Sequence, residues 1–354
     1  MNDTSPSIEE WKGLFDSAIA FKKAACWDWM LDSDIFGVQD PESGEIGYCS
    51  IMGNLGERLA LGVYLGPRGL TSLERLFDGA LSDNLEEAFD AFVQQECLLA
   101  SFEDRTELTK SDIAIIRRLG LKFRGRAAWP MFRKLERARF PRPITTQEAR
   151  FLKIALQQVI RISERKRDDE DLLIPKDKGL AGRLLVTVPR NANEGIAWED
   201  QWLIPERSDE TLAVPPPDEL KLERLKRGMF PGNGTIEAHF FHSPMAVEDE
   251  EDEAASPYYP MALMFVDQRS GMILGMDLTS PWDFSSAFQA GLLQAVERSG
   301  LLPASVLVKD ERALDLLQPL SKSLGVELRS VTRLKMLEQA RRALFREFSQ
   351  VPPR

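Results

Sequence analysis

The chain has 354 residues, 43% hydrophobic and 29% charged, with a formal net charge of −11 and a pI of about 5.0. Length and apolar content fit a globular protein of two or three domains with a real core. The acidic balance excludes nucleic-acid binding by bulk charge, because phosphate contacts need an excess of Lys and Arg, and leaves open only a local basic face.

The N-terminus, MNDTSPSIEEW, lacks the basic and apolar regions of a signal peptide, and no apolar run approaches a membrane span. Cys26, Cys49 and Cys97 lie far apart without a CxxC, which predicts reduced thiols packed in a core and a cytoplasmic location.

Ile8 to Ala25 reads as an amphipathic helix with Ser7 as N-cap and Trp11, Leu14, Phe15, Ala18, Ile19 and Phe21 on its stripe. The period then changes. Asp34–Gln39, Ile46–Met52 and Leu59–Leu65 predict an antiparallel meander joined by turns at Pro41–Gly44 and Asn54–Glu57. Helices over 71–79 and 84–94, a strand over Cys97–Phe102, and a helix from Thr109 to Leu119 stopped by Gly120 follow. Leu121 to Pro143 reads as irregular and basic. Thr145 to Arg165 is a long helix that Thr145 or Thr146 can cap, with Glu148 in its first turn and an apolar stripe of Phe151, Leu152, Ala155, Leu156, Val159 and Ile162.

The middle of the chain is less regular. It holds a charged run (166–171), strands at Arg183–Val188 and Trp198–Ile204, a stiff Pro215-Pro216-Pro217 break and a charged helix over 218–227. A strand over Thr235–Val247 ends in six carboxylates, Glu248 to Glu253, whose mutual repulsion predicts a solvated loop. Beyond Tyr259 the pattern is a hairpin (261–267 and 272–278), helix (284–299), strand (305–309), helix (313–324), strand (326–330) and helix (334–348), an α/β layered domain with a mixed sheet.

Several segments resemble a known family. They are the Trp27-x-Trp29 pair, DIFGVQDPESGEIGYCSIMGNLGE with VYLG after it, LGLKFRGRAAWPMFR from Leu119 to Arg133, and YYPMALMFVDQRSGMILG from Tyr258. Together they are similar to an uncharacterised bacterial family with one domain of unknown function at each end. The likeness covers most of the chain, least its centre. It implies a bacterial origin and a two-domain layout, and assigns no activity and no functional residue.

Two constellations carry chemistry. Arg117 to Arg142 holds ten basic residues (Arg117, Arg118, Lys122, Arg124, Arg126, Arg133, Lys134, Arg137, Arg139 and Arg142) against one acid, Glu136, with Phe123, Trp129, Phe132 and Phe140 between them. Cations beside aromatics suit phosphates and unstacked bases, with Arg117, Arg118, Lys122, Arg124, Arg126, Trp129, Arg133 and Lys134 as candidate ligand-binding residues. The opposing reading places the aromatics in a core and the arginines on a solvated rim. A third has the 248–253 acidic tract mask the patch. In the C-terminal domain the order of elements resembles a trimmed ribonuclease-H-like fold whose third hairpin strand is unclear. Asp267 ends one strand, Asp310 follows another, and Glu338 or Asp315 lies on a nearby helix. Carboxylates so placed would hold Mg²⁺ for phosphodiester cleavage. The opposing reading makes Asp267 a turn residue and Asp310 a helix cap. His239 and His242, three apart on a strand, fall on opposite faces and make a poor metal pair. The glycines of GMFPGNG match neither phosphate-loop fingerprint.

The sequence thus predicts an α+β protein in three parts. An antiparallel meander with helices spans 1–165, a connecting region with short strands spans 166–234, and a C-terminal α/β domain, of ribonuclease-H-like kind, spans 235–354. The expected function is non-enzymatic binding or interaction in the cytosol, with a protein partner and no membrane. The alternatives are a metal-dependent nuclease or phosphodiesterase, and nucleic-acid or anionic-ligand binding through 117–142. No cofactor is expected, save Mg²⁺ under the nuclease alternative.

Overall fold

The computed structural model describes residues 5–56, 58–80, 85–192, 195–208, 213–249 and 256–348. The chain divides into two compact units, Met1–Ser208 and Asp209–Arg354.

In the first unit the elements are α1 (Ile8–Ala24), β1 (Phe36–Gln39), β2 (Ile46–Met52), β3 (Ala60–Leu65), α2 (Gly66–Ala80), α3 (Leu85–Val93), β4 (Cys97–Glu103), α4 (Lys110–Arg118), β5 (Trp129–Leu135), α5 (Thr146–Asp168), β6 (Leu184–Ala192) and β7 (Gly195–Leu203). They build a seven-stranded sheet, β5-β4-β3-β2-β1-β6-β7. The meander β1 to β3 is antiparallel as expected, and β1 pairs parallel with β6. The strands expected near 183 and 198 are β6 and β7, a hairpin on one edge of this sheet. The cysteines are buried free thiols, and burial pushes the Cys97 thiol up to about 12, so it stays protonated and unreactive.

The segment 121–143 is not wholly irregular. Trp129–Leu135 forms the edge strand β5, paired antiparallel to β4 from Glu103↔Trp129 to Cys97↔Leu135. Pro130, Arg133 and Lys134 hide its alternation in the sequence, and an edge strand tolerates a proline because one side of its backbone needs no partner.

Helices α1 and α5 cover one face of the sheet. Leu14, Phe15, Ala18 and Phe21 of α1 and Phe151, Leu152, Leu156 and Val159 of α5 join Val38, Ile51, Val63 and Phe132 in one core, each large side chain contributing about 1.5–3 kcal/mol. Ile19, expected on the α1 stripe, is exposed. The other face holds a smaller cluster of Tyr48, Tyr64, Leu70, Leu73 and Leu99 under α2. Gly47 lets α5 approach the sheet, since a Cβ there would stand 2.8 Å from Phe151 Cζ. Capping boxes start α1 (Ser7 with Glu10), α4 (Thr109 with Asp112) and α5 (Thr145 with Glu148).

The second unit comprises α6 (Glu219–Gly228), β8 (Thr235–His242), β9 (Met261–Asp267), β10 (Ile273–Thr279), α7 (Phe284–Ser299), β11 (Ser305–Val308), α8 (Glu311–Leu324), β12 (Glu327–Ser330) and α9 (Lys335–Phe348). Its sheet runs β10-β9-β8-β11-β12. Strands β8, β9 and β10 are antiparallel, and β11 and β12 run parallel to β8. That is the order and direction of a ribonuclease-H-like sheet. The third strand of the hairpin layer, unclear in the sequence pattern, is β8, the strand expected from Thr235, which ends at His242 before Ser243-Pro244 and not at Val247. Its alternation splits the core: Ile236, Ala238 and Phe240 join α6, α7 and α8 on one face, while Phe241 joins Leu334, just before α9, and Leu337 of α9 on the other. Residues 250–253 of the acidic tract lie outside the described residues, and so does any contact of that part with the basic segment.

Candidate functional site

The ten cations of the basic segment separate into two groups of five. Arg117 and Arg118 close α4, where positive charge complements the helix dipole. The helix then ends in a Schellman turn, with Gly120 N–H donating to Arg117 O (3.0 Å) and Leu121 N–H to Ile116 O (3.1 Å). Gly120 takes φ +70°, which glycine alone adopts without strain. Leu121 and Phe123 pack against the core, while Lys122, Arg124 and Arg126 are exposed, as are Arg117 and Arg118. Among the described residues these five cations pair with no carboxylate.

The later cations differ. Arg133 grips Asp112 with two bonds, Nη1 to Oδ1 at 2.9 Å and Nη2 to Oδ2 at 2.6 Å. Burial acts to raise the Asp112 carboxyl, but the bonds from Arg133 and Thr109 outweigh it and hold it below the ordinary value. Lys134 is 5% exposed. Arg142 bonds Glu148 at 2.8 and 2.9 Å and Glu136 at 3.0 Å. Arg133 and Lys134 are therefore removed from the candidate ligand set, because their charge is already matched or enclosed. Trp129 leaves it as well. It packs edge-on to Phe123 (5.7 Å), which stacks on Phe15 (6.3 Å), while Arg105 lies over its ring. Phe123 and Trp129 bind this loop to the core, whereas Phe140, further along the segment, is exposed.

The four carboxylates of the second unit are not brought together. Asp267 sits opposite Ile236 near the start of β8 and closes its own turn, accepting from Ser270 N (2.7 Å) and Ser270 Oγ (2.6 Å). The Ser270 hydroxyl and the backbone N–H of the turn hold its carboxyl below the usual range. Asp310 follows the other end of β11. The register places Leu307 beside Glu237, so Asp310 is level with Phe240, four residues along β8 from Ile236 and roughly 13 Å away. Its carboxylate caps α8 through Arg312 N (2.8 Å) and receives both Nε (3.0 Å) and Nη2 (2.8 Å) of Arg312. Asp315 is exposed on α8, and Glu338 pairs with Arg333 (2.9 Å) on α9, across the sheet. Among the described residues no group of three or more His, Cys, Asp or Glu is placed to hold a metal ion. The residues therefore do not fit the Mg²⁺ that a nuclease of this sheet type would use. The sequence omitted Glu237, a buried acid (1% exposed) that reaches across to accept from Leu337 N at the start of α9 (2.8 Å). Its one signal is an acid set between the core residues Ile236 and Ala238 of the strand.

Two mixed-sheet units, the second with a ribonuclease-H-like strand order, define a two-domain protein of mixed α/β class. Residues 11–185 match the family model described as Domain of unknown function (DUF7309), and residues 221–345 match Domain of unknown function (DUF6930). This is the uncharacterised two-domain architecture that the resemblance implied. No curated protein matches the chain. Two solved structures of the HTLV-2 integrase catalytic core domain in complex with magnesium, a trimeric and a dimeric form, are similar at 16% identity and a TM-score of 0.25. The match covers 36% of this chain and 80% and 81% of theirs. Likeness at that score carries no argument, and the strand order rests on this sheet's own hydrogen bonds. No helix among the described residues is long and apolar enough to cross a membrane.

Proposed function

We propose that this is a non-enzymatic binding protein that engages a polyanion, the phosphate backbone of a nucleic acid first among them, through Arg117, Arg118, Lys122, Arg124 and Arg126. The observation that carries the reading is five exposed cations within ten residues, none paired with a carboxylate among the described residues. In an acidic chain such a group is set apart from its surroundings, and an unmatched guanidinium keeps its two-pronged donor set for a phosphate. Because Phe123 and Trp129 are committed to the core, recognition is by charge and not by base stacking, and so is indifferent to base sequence.

The test is fluorescence anisotropy of the full chain with labelled oligonucleotides of two unrelated base compositions. Five phosphate contacts on a single strand give a log–log salt slope of about −3.5, a fall of roughly a hundredfold between about 50 and about 200 mM salt. Arg124→Glu should weaken binding about tenfold and flatten the slope. No binding at low salt, or binding that Arg124→Glu leaves untouched, overturns the reading.

A further inference from the structure

The cationic loop is held at both ends. Its start is fixed by the Schellman turn at Gly120. Its end is fixed at Ala127, a non-glycine residue in the left-handed region at φ +46°. Both backbone polar groups of Ala127 are occupied by side chains distant in sequence. Its N–H donates to Asp104 Oδ1 at 2.7 Å, and its carbonyl accepts from Lys22 Nζ. Lys22 reaches from α1 across the Phe102 ring, 5.0 Å from its centroid, and Asp104 directly follows β4. A left-handed alanine persists only where its surroundings determine it, and these two bonds, with Phe123 seated against Phe15, do so. No charge on the loop takes part, so the tether sets the shape of the cationic segment without using its cations.

We infer that Lys22 and Asp104 are positioning residues for the cationic segment, tethering Ala127 from both sides so that Lys122, Arg124 and Arg126 are displayed in a pre-formed arrangement. The inference rests on the polyanion reading above. Its consequence is that a partner binds without first ordering the loop.

Electrostatics alone and the tether predict opposite signs for one substitution. Asp104→Ala removes a negative charge beside the cations, so a field effect alone strengthens oligonucleotide binding. The tether predicts a loss of about two- to tenfold, since the loop must be ordered on binding. Asp104→Asn keeps the acceptor oxygen and should bind at least as tightly as the parent. Lys22→Met keeps the stem over Phe102 and should weaken binding too, but it also removes a cation, so the Asp104 pair is the discriminating one. A second readout needs no ligand: amide hydrogen exchange over residues 121–128 should quicken in Asp104→Ala and stay slow in Asp104→Asn. Tighter or equal binding by Asp104→Ala, or exchange unchanged by it, overturns the tether. Absence of parental binding, or insensitivity to Arg124→Glu, instead overturns the polyanion reading, and this role of the tether with it.

Discussion

The two halves of the basic segment are alike in composition and opposite in fate. Arg117 to Arg126 and Arg133 to Arg142 each hold five cations. The second half begins on β5, whose pairing with β4 and nearness to α4 and α5 bring Asp112, Glu136 and Glu148 against Arg133 and Arg142. The first half leaves the end of a helix and crosses the surface, where Leu119, Leu121 and Phe123 turn inward. A run of arginines is therefore two things at once: internal counter-charges where a neighbouring element supplies acids, and an open electrostatic face where none does.

The comparison breaks first on Arg133. Its side chain is 11% exposed and that of Asp112 is 16% exposed, so Arg133→Ala strands a mostly enclosed carboxylate. It should destabilise the first unit by about 2–3 kcal/mol, or roughly 4–10 °C in midpoint, measured by thermal unfolding. An unchanged midpoint would place the second half in the same class as the first.

A smaller effect sharpens the comparison through pH. Burial acts to raise the Glu148 carboxyl, but bonds from Arg142 and from Thr145 N–H outweigh it, so its folded value lies below its ordinary 4.5. A depressed carboxylate contributes stability that is present above the unfolded value and is lost as pH falls through the folded one. The midpoint of the parent should thus decline as pH drops below 4.5, and that of Glu148→Gln, already lower at neutral pH, should decline less. Parallel curves for the two proteins would remove Glu148 from the account.

The smallest effect belongs to the first half. Lys122→Ala and Arg118→Ala touch no partner among the described residues, so urea unfolding should shift by no more than about 0.5 kcal/mol. A larger loss would mean that these cations hold the fold rather than face a ligand.

Much of this was legible in the sequence. Ser7 and Thr145 announced their helices, because a capping hydroxyl and an acid three residues later are a local contract between neighbouring backbone groups. The meander and the alternating α/β order of the second unit followed from periodicity, which depends only on residues a few places apart. The candidate sites were legible only in part. Composition located the cationic segment but not its division, and it grouped Asp267 with Asp310, which the register places at opposite ends of β8. Glu237, Lys22 and Asp104 carried almost no signal, since each acts on a backbone group 100, 105 or 23 residues away.

The sequence by itself therefore determined the elements, their caps and the presence of a strong local excess of positive charge. Tertiary structure alone decided which of those charges are matched. Pairing is a property of distance in space, and the acids that neutralise Arg133 and Arg142 are brought to them by a strand edge and two helix starts. Lys122, Arg124 and Arg126 remain open because their loop has no such neighbour among the described residues.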